Sequence, residues 1–236
     1  SSSRCSADRG APSWYAESVS TTILSSDELG ARDAYVLMTS IIAPRPIAWV
    51  STRSVDGVGN LAPFSYFQAV CSSPPTVVVS FGSKGDGRPK DSLRNILDTH
   101  IFTVSHVGEG HLQPMNASAA EYDFDVDEWA ELGLDAEASE HDAPPRVRGC
   151  AAALECRLQQ AIPLGHGKHG APSATLVVAR VLRFVVRSEL LKRNEQGRLQ
   201  ALDPTQIQSV GRLGGIAYTP TAAPIEVPRP PRPSRD

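Results

Sequence analysis

Residues 45–52 read RPIAWVST, and after a turn residues 60–71 read NLAPFSYFQAVC. The first stretch places apolar side chains beside hydroxyls in a short β-rich run, and Asp56-Gly57 is a turn dipeptide, so a strand, a tight connection and a second strand are expected. Pro63 cannot donate to a ladder, which marks an edge or a bulge in the second strand. Working outward, TVVVSFG (76–82) has the continuous apolar character of a buried strand, and SKGDGRPKD is a loop. SLRNILDTH (92–100) reads as a short helix, with Asp91 as N-cap and Leu93, Ile96 and Leu97 on one face. IFTVSHV (101–107) is a strand, residues 109–120 form a helix around Leu112 and Met115, and VDEWAELGL (126–134) is a short acidic helix. AAALECRLQQAIPL (151–164) and ATLVVARVLRFVVRS (174–188) are two long strands joined by GHGKHGAPS.

The expected fold is therefore mainly β, about six strands with few short helices. An antiparallel barrel of Greek-key type removes most open edges. Strands do not alternate with long helices, which argues against a doubly wound parallel sheet. Neither GxGxxG nor GxxxxGK[ST] occurs.

The chain has 236 residues with 41% hydrophobic and 21% charged, enough for a packed core. A net charge of −3 disfavours general nucleic-acid binding. That average hides a bias. Residues 121–142 hold ten acidic and no Lys or Arg residues, leaving 23 basic against 16 acidic elsewhere. The acidic stretch is expected on the surface, away from any anion site, because like charge opposes anion binding. No run approaches the ~20 apolar residues of a membrane span, and SSSRCSADRGAPSW lacks a signal-like apolar core. Cys5, Cys71, Cys150 and Cys156 show no metal spacing. Cys150 and Cys156 read as same-face residues of one strand, too far apart to bridge, so buried thiols in a reducing cytoplasm are expected. Residues 220–236 (PTAAPIEVPRPPRPSRD) suit an extended polyproline-like tail.

Three segments carry candidate chemistry. Arg45 with Ser51 and Thr52 presents donors to a phosphate or a ring. Asn60-Leu61-Ala62-Pro63-Phe64-Ser65 interrupts its own ladder at Pro63, freeing backbone polar groups for a ligand. Arg88-Pro-Lys-Asp-Ser92 opens a helix, whose free N–H groups and partial positive charge suit a phosphate. His166 and His169 read as members of a solvated loop, and no carboxylate or Cys pattern supports a metal there.

APRPIAWVST, NLAPFSYF, PPTVVVSF, KDSLRNI, MNASAAEY and VGRLGGIAY, in that order over residues 33–218, resemble the flavin reductase-like FMN-binding split-barrel proteins. The resemblance divides the chain into an N-terminal extension (1–32), the split-barrel domain (33–218) and a Pro/Arg-rich tail (219–236). It implies a homodimer with FMN in a groove near the subunit interface. It places Arg45, Pro46, Trp49, Ser51 and Thr52 along the groove, and Asn60, Leu61, Ala62, Pro63, Phe64 and Ser65 against the isoalloxazine. Ser80 and Phe81 would end the neighbouring strand near the cofactor, and Lys90, Asp91 and Ser92 would hold the phosphate. The implied activity is hydride transfer from NADH or NADPH to flavin, with a monooxygenase or other redox protein as a partner. The alternatives are a flavoredoxin-like FMN electron carrier without its own nicotinamide site, and a split barrel recruited for another reaction. Ser105-His106 stands where the family often has Asn-Ile or Asn-Val. No catalytic triad is required, since the cofactor carries the chemistry.

Overall fold

A computed structural model of the chain describes residues 20–140 and 142–231. Cys5 and most of the N-terminal extension lie outside the described residues, as do residues 232–236 of the tail. Among the described residues the strands are β1 (Ala48–Arg53), β2 (Gly59–Phe64), β3 (Phe67–Ser72), β4 (Pro75–Gly82), β5 (Ile101–Ser105), β6 (Ala136–Glu137), β7 (Arg146–Val147), β8 (Ala152–Leu164), β9 (Ala174–Val186), β10 (Val210–Arg212) and β11 (Tyr218–Pro220). The helices are α1 (Ala31–Ile41), α2 (Asp91–Thr99), α3 (Leu112–Ala117), α4 (Glu128–Glu131) and α5 (Pro204–Ile207).

Seven strands form one antiparallel sheet in the order β2-β1-β5-β8-β9-β4-β3. β2 and β3 follow each other directly in sequence, yet they stand at opposite ends of that order. The sheet must therefore curl until its two edges come together at the Ser65-Tyr66 connection, with no β2–β3 ladder among the described residues closing the rest. Ser65-Tyr66 spans the seam, where the Ser80 N–H donates to the Tyr66 carbonyl at 2.9 Å. The Phe64 and Phe81 rings meet there at 4.4 Å between centroids. The single strand expected over residues 60–71 is thus two strands. A curled sheet bends sharply where it changes edges; the β1 ladder continues in register through Pro63 to Phe64, and the chain leaves it there.

The barrel interior is filled by Ala48, Val50, Val79, Phe81, Ile96, Phe102, Cys156 and Val177, among others. Strand alternation sends Trp49 and Leu61 to the opposite face, into a second cluster with Val107, Met115, Trp129 and Val210. The chain outside the barrel thus has its own small core, and β10–β11 packs on it. Cys150 and Cys156 are buried free thiols and Cys71 is exposed. Cys150 precedes β8 rather than sharing its face with Cys156, and Cys71 departs from the expected burial because it sits on the exposed strand β3. Burial raises the Cys150 thiol above its ordinary range.

Helix α2 begins one residue earlier than expected. Lys90 is the cap residue and Asp91 is the first helical residue. Asp91 makes no side-chain cap. Its carboxylate instead holds Lys84 at 2.7 and 2.9 Å. Residues 126–134 yield only the one-turn α4, which Asp127 caps by accepting from the Trp129 and Ala130 N–H groups. From Thr221 to Pro231 the tail has no regular element. Among the described residues no helix is long and apolar enough to cross a membrane.

Candidate functional site

The seam between β2, α2 and α3 is a groove with two chemically different ends. At one end, Lys84, Lys90, Asp91 and Ser92 face Ser118–Tyr122 across a cavity of about 100 Å³ that also touches Asn60 and Ala62. At the other end, Pro63, Phe64 and Ser65 border a cavity of about 200 Å³ with Tyr35, Ile47, Arg212 and Tyr218. Pro63, Phe64 and Ala119 belong to both, so the two cavities are neighbours along one edge.

The cation end is built on a buried polar chain. The Ser92 hydroxyl donates to Asn60 Oδ1 at 2.5 Å, and the Thr52 hydroxyl donates to the same oxygen at 3.2 Å. Asn95 Nδ2 donates to Thr52 at 3.1 Å. Asn60 Nδ2 then donates to Glu128 Oε1 at 2.5 Å, while Glu128 Oε2 accepts from the Leu61 N–H at 2.7 Å. β2 is an edge strand, so its outward N–H groups need partners. The acidic stretch supplies them, with Glu128 on Leu61 and Asp127 on Gly59 at 3.4 Å. That role explains why the stretch lies here. It also overturns the expectation that it keeps clear of the anion-friendly pocket, because Glu121 and Glu128 line that pocket and Glu121 is ion-paired to Lys90.

Of the residues read from sequence, Asn60, Ala62, Pro63, Phe64, Lys90, Asp91 and Ser92 line the cation end, and Ser65 lines the other. The rest do not form the groove. Trp49 is fully buried, with its indole N–H on Ser118 Oγ at 2.8 Å. Leu61 and Phe81 are core residues, and Ser51 and Thr52 are fully buried. Arg45 is not a free donor. Its guanidinium is held by the carbonyls of Thr39 at 2.7 Å and Leu213 at 3.0 Å, so it clasps α1 and the C-terminal segment to the barrel. Pro46 borders a different cavity, on the far side of Ile47. Ser80 is half-buried on β4, outside both cavities. Lys84, Ser118, Glu121 and Glu128 complete the groove beyond the residues that sequence reasoning picks out. Ser118 and Glu121 stand within the motif MNASAAEY, whereas nothing local marks Lys84 or Glu128.

Burial pushes the Glu128 carboxyl up to about 7, against the Leu61 and Asn60 hydrogen bonds that favour its charge, with Asp91 and Asp127 adding to the rise. A carboxyl raised on folding binds its proton more tightly in the folded state. Stability is therefore gained as pH falls through 7 towards the ordinary 4.5, and lost as pH rises. Between pH 8 and pH 6 the wild type should gain about 1 kcal/mol that Glu128→Gln does not. Urea unfolding of both proteins at the two pH values measures it, and equal pH dependence in both excludes Glu128 as the source.

Comparisons with known proteins agree with this architecture. Nitrilotriacetate monooxygenase component B from Bacillus cereus superposes with a TM-score of 0.80 at 32% identity, covering 89% of this chain and 100% of that one. The 2-nitrobenzoate 2-nitroreductase of Pseudomonas fluorescens gives 0.75 at 27% identity, covering 89% and 96%. An uncharacterized protein of Halalkalibacterium halodurans is 32% identical over 207 residues, 88% of this chain and 96% of its own. The model of the flavin reductase like domain matches residues 39–202. With that match over most of its length, on a split antiparallel barrel, the chain belongs to the flavin reductase-like family.

Proposed function

We propose that this protein is an FMN-dependent oxidoreductase that takes hydride from NADH or NADPH. The observation that carries the reading is the groove itself, with two ammonium groups and a helix start at one end and a Pro-Phe edge at the other. The donor set fits a phosphorylated flat ligand. Lys90 supplies charge, Lys84 being paired with Asp91, and the first turn of α2 supplies N–H groups without partners in the helix. Lys90 is held by Glu121, whose side chain is 65% exposed, so an incoming phosphate displaces it into water at little cost.

When bound, FMN supplies hydride acceptance at its N5. The chain's own residues do the rest. Lys90 would anchor the phosphate with the N–H groups of the first turn of α2, while Ser92 and Lys84, held by Asn60 and Asp91, would shape that end of the groove. Ala62–Ser65 would flank the ring, with Ser65 as a polar contact beyond the strand end. Leu61 and Pro63 contribute no free N–H, since Glu128 holds the first and the second has none. The Phe64 ring, backed by Phe81, would give a bound flavin one rigid apolar side.

Anaerobic titration of the FMN-loaded protein with NADH and with NADPH tests the reading. Rapid loss of the visible flavin absorbance with one of them is expected. No bleaching, together with full reduction by dithionite and electron delivery to a redox protein, would establish the electron carrier instead.

A homodimer is part of the proposal. The distal half of β8 is exposed on both faces, and Val70, Ile162 and Leu164 present apolar surface on β3 and β8. A second copy covering that arm removes it from water. Light scattering at micromolar concentration should give twice the chain mass, and a monomer there refutes the dimer.

A further inference from the structure

The motif VGRLGGIAY (210–218) folds into the β10–β11 hairpin, which carries Arg212 to the ring end of the groove. The hairpin is seated hard against the start of the barrel. A Cβ on Gly211 would lie 2.5 Å from Pro44 Cβ, so glycine is what permits the approach. Beside it the Arg45 and Arg212 backbones pair in both directions, at 2.9 and 2.8 Å. The Arg212 guanidinium lies over the Tyr218 ring, 4.5 Å from its centroid. It donates to the Tyr218 hydroxyl, and to the Gly215 carbonyl at 2.8 Å. Tyr218 in turn donates to Asn116 Oδ1 on α3 at 3.1 Å. The hairpin and α3 together therefore hold this cation in place.

The other N–H groups of the fork, Nε among them, have no acceptor among the described residues, and none is sealed from solvent. No carboxylate among the described residues pairs with Arg212. Arg212 is also the one charged side chain among the described residues lining this cavity, whose other walls include Tyr35, Ile47, Phe64 and Met115. A flat ring lodged here needs an edge that accepts hydrogen bonds, because an apolar edge would desolvate the guanidinium and give it no partner. The flavin ring has one such edge, its pyrimidine side with N1 and the C2 carbonyl, and its dimethylbenzene edge is apolar. We propose that Arg212 meets the pyrimidine edge of bound FMN and holds the negative charge which that edge gains on reduction. The inference rests on FMN occupying the groove. When the nicotinamide C4–H bond breaks, the hydrogen and its electron pair form the N5–H bond. The nicotinamide becomes cationic, and the charge added to the flavin collects at N1 and the C2 carbonyl. A fixed cation there favours the reduced form over the oxidised one. Tyr218 and Asn116 act through Arg212 as positioning residues.

Reductive titration of the FMN-loaded full chain against a dye of known potential tests this. In the wild type, reduced FMN should bind more tightly than oxidised FMN, so bound FMN is reduced at a higher potential than free FMN; this comparison needs no variant. Arg212→Met keeps the stem and removes the charge. It should lose roughly tenfold of that preference, the worth of one hydrogen bond to a charged group, or about 30 mV for a two-electron couple. Arg212→Lys keeps the charge and should recover most of the shift. N1 of the reduced flavin should also take up its proton at higher pH in Arg212→Met than in the wild type, read from the absorbance of the reduced protein. An Arg212 that only braces the hairpin moves neither quantity. Reduced FMN binding no tighter than oxidised FMN in the wild type, or an unchanged midpoint in Arg212→Met, would each overturn the proposal. FMN that fails to bind the wild type overturns the FMN reading as well. FMN that binds and bleaches with a nicotinamide, at a midpoint indifferent to Arg212, overturns this inference alone.

Discussion

Lys90→Ala should weaken FMN binding roughly ten- to a hundredfold and leave riboflavin binding unchanged. Lys90 caps α2 and lines the cation end of the groove, where a phosphate gains a full charge and the free N–H groups of the first turn. Charge-assisted hydrogen bonds are worth about 1.5–3 kcal/mol each, which sets the size of the loss. Riboflavin lacks the phosphate and so lacks the contact. Glu121 competes for the same ammonium, so Glu121→Gln should tighten FMN several-fold while sparing riboflavin. Titrating both ligands into the three proteins measures these effects. Equal losses for FMN and riboflavin in Lys90→Ala would place Lys90 in a structural role.

Trp49→Ala should destabilise the fold by about 3–5 kcal/mol, the cost of emptying a large aromatic site in a core. Trp49 is fully buried among Leu61, Val107, Met115 and Trp129, and its N–H donates to Ser118 Oγ. Trp49→Phe keeps most of the ring and should cost less, chiefly through the lost hydrogen bond to Ser118. Urea unfolding measures both. A loss below about 1 kcal/mol in Trp49→Ala would contradict the core assignment.

Much of the fold was legible locally. The short β-rich run of β1, continuous apolar runs in β4 and β9, and the Asp56-Gly57 turn are properties of neighbouring residues, so the chain itself reports them. The motifs RPIAWVST and NLAPFSYF carried the family, and KDS marked the start of α2, whose first N–H groups lack helical partners whatever surrounds them. Three things were decided only in the folded chain. Curling the sheet split residues 60–71 between its two edges, since only closure makes Ser65-Tyr66 a seam. Side-chain direction on β1 and β2 sent Trp49 and Leu61 into a core, although the motifs containing them border the groove. The acidic stretch came to the groove because the open edge of β2 needs acceptors for its N–H groups, and Glu128 and Asp127 supply them from 67 and 68 residues away. Pairing across such a distance depends on which edge is left open, and an edge exists only once the strands have taken their order.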